Sequence, residues 1–199
     1  MSDSRHLGSI CVFAGSRPGT SDLYGNAAQK LGEALTRNKI DLVFGGGKVG
    51  LMGILADAVL SGGGRVTGVI PDALMKREVA HTQLTELVIV DSMHTRKATM
   101  AERSDAFIAL PGGMGTLEEL FEVLTWKQLG LHNKPCGLIN VDGYYDALLA
   151  LLDESVNRGF VKAMHRKILL DDTNPDRLIQ RLRTVELEPD RKWIDESQS

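Results

Sequence analysis

The chain has 199 residues, of which 43% are hydrophobic and 25% are charged, and its formal net charge is −3 with a pI near 6.0. This length and composition predict one globular domain with a packed core. The weak negative charge argues against nucleic acid and anionic membranes as partners, so any bound phosphate has to be held by a local site.

Short β-rich runs alternate with longer helical stretches along the chain. Strands are predicted at residues 9–13, 41–44, 66–70, 87–91, 106–110 and 137–141. Helices are predicted at residues 22–37, 51–60, 94–103, 117–129, 144–157 and 176–183. Strands that are apolar on both faces and separated by helices indicate a parallel sheet covered on both sides. We therefore expect an α/β fold, a Rossmann-like doubly wound sheet flanked by helices, as a single domain over residues 1–184 with a polar tail over 185–199.

The two cysteines and the first residues of the chain indicate the cellular compartment. Cys11 and Cys136 each lie inside an apolar run, which is typical of buried, reduced thiols. No apolar run is long enough to span a bilayer, and the first residues lack the apolar region of a secretory signal. A cytoplasmic protein with no membrane partner is expected.

The first of two glycine-rich turns follows the second strand and opens a helix. Its pattern Gly45-x-Gly47-x-x-Gly50 matches a dinucleotide-binding fingerprint, and Asp72 follows the next strand, about where a ribose-binding acid would lie. Such turns also serve plain packing. Ligand contact by Gly45, Gly46 and Gly47 is therefore one of two interpretations of this loop.

The second turn follows the fifth strand, reads PGGMGT and is more specific. Gly112 and Gly113 expose backbone amides, and Gly115 and Thr116 begin a helix whose N-terminus attracts anions. The same residues fit a capping box with Thr116 as N-cap and Glu119 three positions later. The two interpretations are compatible, and together they predict a phosphate site here.

Two adjacent cations, Arg96 and Lys97, are predicted close to the start of the helix between these turns. Helix N-termini favour acidic side chains, so two cations there oppose the helix dipole. Departures from local rules of this kind concentrate at functional sites. The alternative is a solvated first turn with Met93 and Met100 in the core.

Two motifs taken together, MHxRK at residues 93–97 and PGGxGTxxE at residues 111–119, resemble the Lonely Guy family of cytokinin-activating phosphoribohydrolases. Members of this family were long labelled lysine decarboxylases. Shorter matches at residues 13–16, 45–53, 78–81, 84–87 and 140–145 extend the resemblance over roughly residues 8–180.

The resemblance implies hydrolysis of the N-glycosidic bond of cytokinin riboside 5′-monophosphates, and of AMP, to a free base and ribose 5-phosphate. It implies that Arg96 and Glu119 are the catalytic pair and that helices near the site form a homodimer. Neither a cofactor nor a metal is expected. The nucleotide-binding residues expected from the loops and the resemblance are Glu78, Met93, Lys97, Gly45, Gly46, Gly47, Gly112, Gly113, Met114, Gly115 and Thr116.

Cleavage of an N-glycosidic bond builds oxocarbenium character on the ribose, which a nearby carboxylate stabilises. Glu119 suits this role, and we expect the helix N-terminus and Arg96 to hold it ionised. An alternative role for Arg96 is a bidentate clamp on phosphate or ribose.

Three other functions stay open from the residues alone. The Gly45 fingerprint allows an NAD-dependent oxidoreductase, although the chain has little room for a substrate domain. A decarboxylase would need pyridoxal phosphate on a lysine. A carrier would bind a nucleotide or cofactor without catalysis. The preferred base and its N6 substituent are also left open.

Overall fold

Strands and helices alternate through the computed structural model, which describes residues 5–75 and 80–187. The strands are β1 Ser9–Phe13, β2 Asp41–Phe44, β3 Val66–Pro71, β4 Glu86–Val90, β5 Ala106–Ala109, β6 Cys136–Ile139 and β7 Leu169–Asp172. The α-helices are α1 Asp22–Arg37, α2 Gly50–Ser61, α3 Asp72–Met75, α4 Met93–Glu102, α5 Met114–Gln128, α6 Asp146–Asn157, α7 Ala163–Arg166 and α8 Pro175–Thr184. None of these helices is long and apolar enough to cross a bilayer.

The seven strands form one parallel sheet in the order β4-β3-β2-β1-β5-β6-β7. Central strand β1 pairs on both sides, with Ile10 opposite Leu42 of β2 and Ala106 of β5. The chain runs outward from β1 to β4 and then returns to β5, so the strand order reverses between β1 and β5. This confirms the predicted doubly wound fold and marks the carboxyl edge beside the reversal as the place for a ligand.

Alternate side chains of β1 enter two separate cores. Ile10 and Val12 pack in the core that includes α1, α2 and α8, whereas Cys11 and Phe13 pack in the core that includes α4, α5 and α6. Both faces of the strand are therefore buried, which explains its continuous apolar sequence. Both cysteines are free and buried, as predicted. Because α4 and α5 cover the same face, their first turns are on the same side of the sheet.

Several predicted boundaries are wrong, and the largest omission is β7. Its two leucines are followed at once by two aspartates, so its apolar run is too short to predict a strand, and the pairing with β6 defines it. Short helices α3 and α7 were not predicted either. Helix α6 begins at Asp146 rather than at residue 144, because a 3₁₀ turn with a positive φ of 50° at Asp142 precedes it. Of the predicted tail, only residues 185–187 are described.

Candidate active site

Arg96 is buried in α4 and is held by backbone carbonyls at the ends of two strands. Its Nε donates to the Val69 carbonyl at 3.1 Å, and its Nη2 donates to the Gly45 carbonyl at 3.0 Å. The remaining nitrogen, Nη1, lies 3.8 Å from Met93 Sδ and 3.9 Å from Glu119 Oε1. The structure thus brings the two predicted catalytic residues together, with the guanidinium orientation set by the backbone.

Glu119 lies in α5 with a side chain that is 12% exposed. Desolvation raises the pKa of this carboxyl from 4.5 to about 7, and the Arg96 cation offsets only part of that rise. Arg96 therefore favours the ionised form, as expected, but it does not hold Glu119 fully ionised at neutral pH. Burial outweighs an ion pair as long as 3.9 Å, so both protonation states are populated near neutral pH.

The first glycine loop is buried and is occupied by the protein's own groups. A Cβ added at Gly45 would overlap the Arg96 guanidinium. Gly46 has a φ of +77°, and its carbonyl accepts a hydrogen bond from the His81 amide at 3.0 Å. Gly47 is buried beside them. The nucleotide contacts expected for these three glycines stay a prediction, whereas the close approach of Arg96 at Gly45 and the positive φ at Gly46 are seen directly.

The rest of the dinucleotide fingerprint also has a packing explanation. Gly50 has a φ of +61°, and a Cβ there would overlap the backbone of Ser16. Asp72 is an exposed residue at the start of α3. Close approach of other groups therefore accounts for the glycines at positions 45 and 50 without a dinucleotide, and this weakens the oxidoreductase interpretation.

The second glycine loop, which we call the PGGMGT loop (residues 111–116), is open. Helix α5 begins at Met114, with Gly113 as its N-cap in extended conformation (φ −88°, ψ −155°). Gly113, Met114 and Gly115 are exposed, and a Cβ added at Gly113 or Gly115 would meet nothing within 4 Å. A helix N-terminus with its partial positive charge is therefore accessible to an anion.

The capping box expected at this helix is wrong. Thr116 is the third residue of α5 rather than its N-cap, so Glu119 is the sixth. The reason is steric. Thr116 is buried beneath Gly112, and a Cβ on Gly112 would overlap the Thr116 hydroxyl. The two glycines let the chain turn tightly enough for the helix to start earlier.

A cavity of about 380 Å³ lies beside this loop at the strand-order reversal. Its lining includes Ser16 and Arg17 from the segment after β1, Tyr24 from α1, and Gly112 and Tyr144. A larger groove of about 720 Å³ runs between α1 and α2, but none of its lining residues belongs to the glycine loops. The smaller cavity therefore matches the expected phosphate position better, although neither Arg96 nor Glu119 is among its lining residues.

The two remaining predicted binding residues have different outcomes. Lys97 Nζ contacts Glu118 Oε1 at 2.6 Å and Glu122 Oε1 at 2.9 Å, so its charge is engaged by α5. Its contact with a nucleotide stays a prediction. Glu78 lies outside the described residues. Across residues 5–75 and 80–187, no group of three or more His, Cys, Asp or Glu side chains could hold a metal ion.

Some residues of the site were missed by sequence reasoning. The hydroxyls of Tyr144 and Tyr145 donate to carbonyls of the loop region, although the sequence predicted no role for either tyrosine. His81 is buried, with Nε2 2.8 Å from Asp57 Oδ1, while its amide holds the first glycine loop. These residues lie in the short family matches at residues 78–81 and 140–145. A match of this kind marks a segment but does not indicate what its side chains do.

Comparisons with known proteins bear on this arrangement. A family profile described as "Possible lysine decarboxylase" matches residues 52–182. The chain is 53% identical over 176 residues to the "Probable cytokinin riboside 5′-monophosphate phosphoribohydrolase" of Oryza sativa subsp. japonica, which covers 88% of this chain and 79% of the relative. It is 52% identical over 181 residues to a cytokinin riboside 5′-monophosphate phosphoribohydrolase of Arabidopsis thaliana, with coverage of 91% and 83%. The chain belongs to the Lonely Guy (LOG) family.

The fold of this LOG-family protein extends to more distant solved structures. The molybdenum cofactor carrier protein from Chlamydomonas reinhardtii matches with a TM-score of 0.66 and 18% identity, covering 89% of this chain and 98% of that one. The molybdenum cofactor binding protein from Rippkaea orientalis matches with a TM-score of 0.66 and 21% identity, covering 89% and 96%. At such identities the likeness shows the fold alone.

Proposed function

We propose that this LOG-family protein hydrolyses the N-glycosidic bond of cytokinin riboside 5′-monophosphates, and of AMP, to a free base and ribose 5-phosphate. The names of two relatives above 50% identity, both cytokinin riboside 5′-monophosphate phosphoribohydrolases, support this substrate class. The observation that carries the reaction is Glu119, a buried carboxyl with a pKa of about 7, 3.9 Å from Arg96 and on the helix that begins at the open loop.

The spacing along α5 suits a nucleoside monophosphate. Thr116 and Glu119 are three residues apart, which is about 5 Å along the helix axis. A 5′-phosphate on the first amides of α5 would place the ribose beside the Glu119 carboxyl. Binding energy from this non-reacting phosphate then positions the reacting carbon.

In the proposed reaction, water adds to C1′ of the ribose while the C1′–N bond breaks, and the bonding electron pair goes to the base nitrogen. The Glu119 carboxylate stabilises the positive charge on the ribose and accepts a proton from the attacking water. The base takes up one proton as it leaves, so the net reaction consumes one water. A pKa of about 7 lets Glu119 both accept and return a proton near neutral pH. Arg96 keeps the carboxylate oriented.

The test is chromatographic detection of free base after incubation with AMP and with isopentenyladenosine 5′-monophosphate. We expect base release by the wild type and none by Glu119→Gln or Arg96→Met, each of which leaves the fold intact by circular dichroism. Absence of base from both substrates with the wild type would contradict the proposal. Tight AMP binding without base release would instead favour a carrier.

We also propose that the protein is a homodimer through the face formed by α5, α6 and α7. Phe160, between α6 and α7, is 87% exposed, Leu151 of α6 is 61% exposed, and Phe121 of α5 and Met164 of α7 are also exposed. Other residues of these three helices line one cavity with Phe121, so the helices adjoin one another. Exposed apolar patches of this kind mark protein interfaces. In sedimentation velocity, Phe160→Asp should shift the mass to that of a monomer, whereas Leu23→Asp on α1 should not. A monomeric wild type would rule this proposal out.

A cytoplasmic location without nucleic acid or membrane partners is a further proposal. The two free thiols suit a reducing compartment, and the net charge of −3 supports the absence of polyanionic partners. Fractionation of cells that express the full chain with a small epitope tag tests it, and recovery in the membrane or secreted fraction would contradict it.

A further inference from the structure

Three consecutive carbonyl oxygens at the start of the PGGMGT loop are each held by a donor from another part of the fold. The Leu110 carbonyl accepts from the Tyr145 hydroxyl at 2.7 Å, and the Gly112 carbonyl accepts from the Tyr144 hydroxyl at 2.5 Å. Between them, the Pro111 carbonyl accepts from the Gly15 amide at 3.1 Å. The loop is therefore braced at three successive peptide groups.

This bracing determines where the loop amides point. The peptide bonds of the described chain are trans and planar, so each carbonyl and the N–H of the next residue point in opposite directions. Holding the Pro111 carbonyl therefore directs the Gly112 amide away from Gly15, and holding the Gly112 carbonyl directs the Gly113 amide away from Tyr144. Two adjacent glycines would otherwise sample many orientations, because they lack a Cβ.

The two tyrosines are themselves rigidly placed. They follow the 3₁₀ turn after β6, in which Asp142 and Gly143 have φ values of 50° and 70°. The Asn140 side chain accepts a hydrogen bond from the Tyr145 amide at 2.9 Å. The two rings then meet edge to face, with centroids 4.9 Å apart. Adjacent residues can thus reach two carbonyls on either side of a proline.

We propose that Tyr144 and Tyr145 are positioning residues, whose hydroxyls orient the PGGMGT loop so that the Gly112 and Gly113 amides bind the 5′-phosphate of the substrate. The inference rests on the proposed function, since it assumes that a phosphate binds at this loop. Neither hydroxyl needs to touch the substrate for this role.

The two tyrosines differ in burial, and this decides the experiment. Tyr145 is 1% exposed, so removing its hydroxyl leaves the Leu110 carbonyl unpaired in the core and lowers stability as well. Tyr144 is 42% exposed, and water replaces its hydroxyl when that group is removed. Tyr144→Phe therefore changes loop orientation with little effect on folding.

The experiment measures the Kd of ribose 5-phosphate and of adenosine by calorimetry, together with KM and kcat for AMP, in wild type and Tyr144→Phe. We expect the Kd of ribose 5-phosphate and the KM of AMP to rise about fivefold, the value of one lost hydrogen bond. The Kd of adenosine, kcat and the melting temperature should stay near wild type. Tyr145→Phe should show the same rise with a lower melting temperature.

Ser155→Ala is the matched control, because it removes a hydroxyl that donates to a backbone carbonyl within α6, at 2.8 Å. It should leave all of these constants unchanged. An unchanged Kd of ribose 5-phosphate in Tyr144→Phe would overturn the inference while leaving the proposed function standing. An equal rise for adenosine would also overturn it, since the effect would not depend on phosphate. A wild type that neither binds ribose 5-phosphate nor releases base would overturn both.

Discussion

Two glycine-rich turns, after β2 and after β5, are alike in sequence but are used in opposite ways. Each follows a buried strand and precedes a helix at the same edge of the sheet. The first is closed, because the Arg96 guanidinium fills the space that a side chain at position 45 would occupy. The second is open, because a Cβ at Gly113 or Gly115 would meet nothing within 4 Å.

The difference shows that a missing Cβ serves two purposes in one site. In the first turn it lets the Arg96 side chain approach the backbone, and in the second it leaves the backbone exposed at a helix N-terminus. Glu119 joins the two, since it lies on the helix after the open turn and faces the arginine held by the closed one. Substitutions in each turn should therefore affect different kinetic constants.

The largest effect is expected for Gly45→Ala in the closed turn. The added methyl group displaces the Arg96 guanidinium from its carbonyl, and misplacement of a catalytic group by about 1 Å costs on the order of 100-fold in rate. Steady-state hydrolysis of AMP should show the loss in kcat. Gly25→Ala in α1, where a Cβ would be 3.5 Å from Ile54, is the control and should keep the wild-type rate. A wild-type kcat in Gly45→Ala would remove the holding role of this turn.

The next effect concerns Glu119, where the two turns meet. The folded-state pKa of Glu119, about 7, lies above its ordinary value of 4.5. Its contribution to the unfolding free energy is therefore complete below pH 4.5 and is lost as pH rises through 7, because the buried carboxyl then ionises. The glutamine in Glu119→Gln does not ionise, so this variant shows no such loss. Between pH 4.5 and pH 8 the unfolding free energy of wild type should fall by about 3 kcal/mol relative to Glu119→Gln. Urea denaturation at both pH values measures it, and parallel curves would contradict the raised pKa.

A smaller effect is expected for Gly115→Ala in the open turn. Its methyl group would lie at the accessible helix N-terminus, so the KM for AMP should rise about tenfold while kcat changes little. Alanine favours the helix by about 1 kcal/mol, so the melting temperature should rise rather than fall. A higher melting temperature with unchanged KM would show that no anion binds at this N-terminus.

The smallest effect is expected for Thr116→Val, which removes a buried hydroxyl beneath Gly112 at nearly constant volume. Loss of one hydrogen bond to phosphate should raise the KM for AMP about fivefold. Thr116→Ser keeps the hydroxyl and should retain the wild-type KM. If both variants keep it, Thr116 supports the turn by packing alone.

Most of the sheet could be predicted from sequence because its strands are apolar on both faces. Six of the seven strands are short apolar runs between turn residues. The exception, β7, carries Asp171 and Asp172, and the charge of Asp172 is balanced by Arg177 and Arg181 of α8. These ion pairs form only when α8 packs beside the strand. Two aspartates in the sequence therefore favoured a loop rather than a strand.

Residue types at fixed spacing were enough to predict the family, the expected catalytic pair and the two turns. Which of the two turns is open depends instead on whether another side chain fills the space beside a glycine, and that follows from the packing of distant elements. The protonation of Glu119 was decided in the same way. A carboxyl's pKa follows from the water it loses and the charges around it, and neither can be seen before the helices pack.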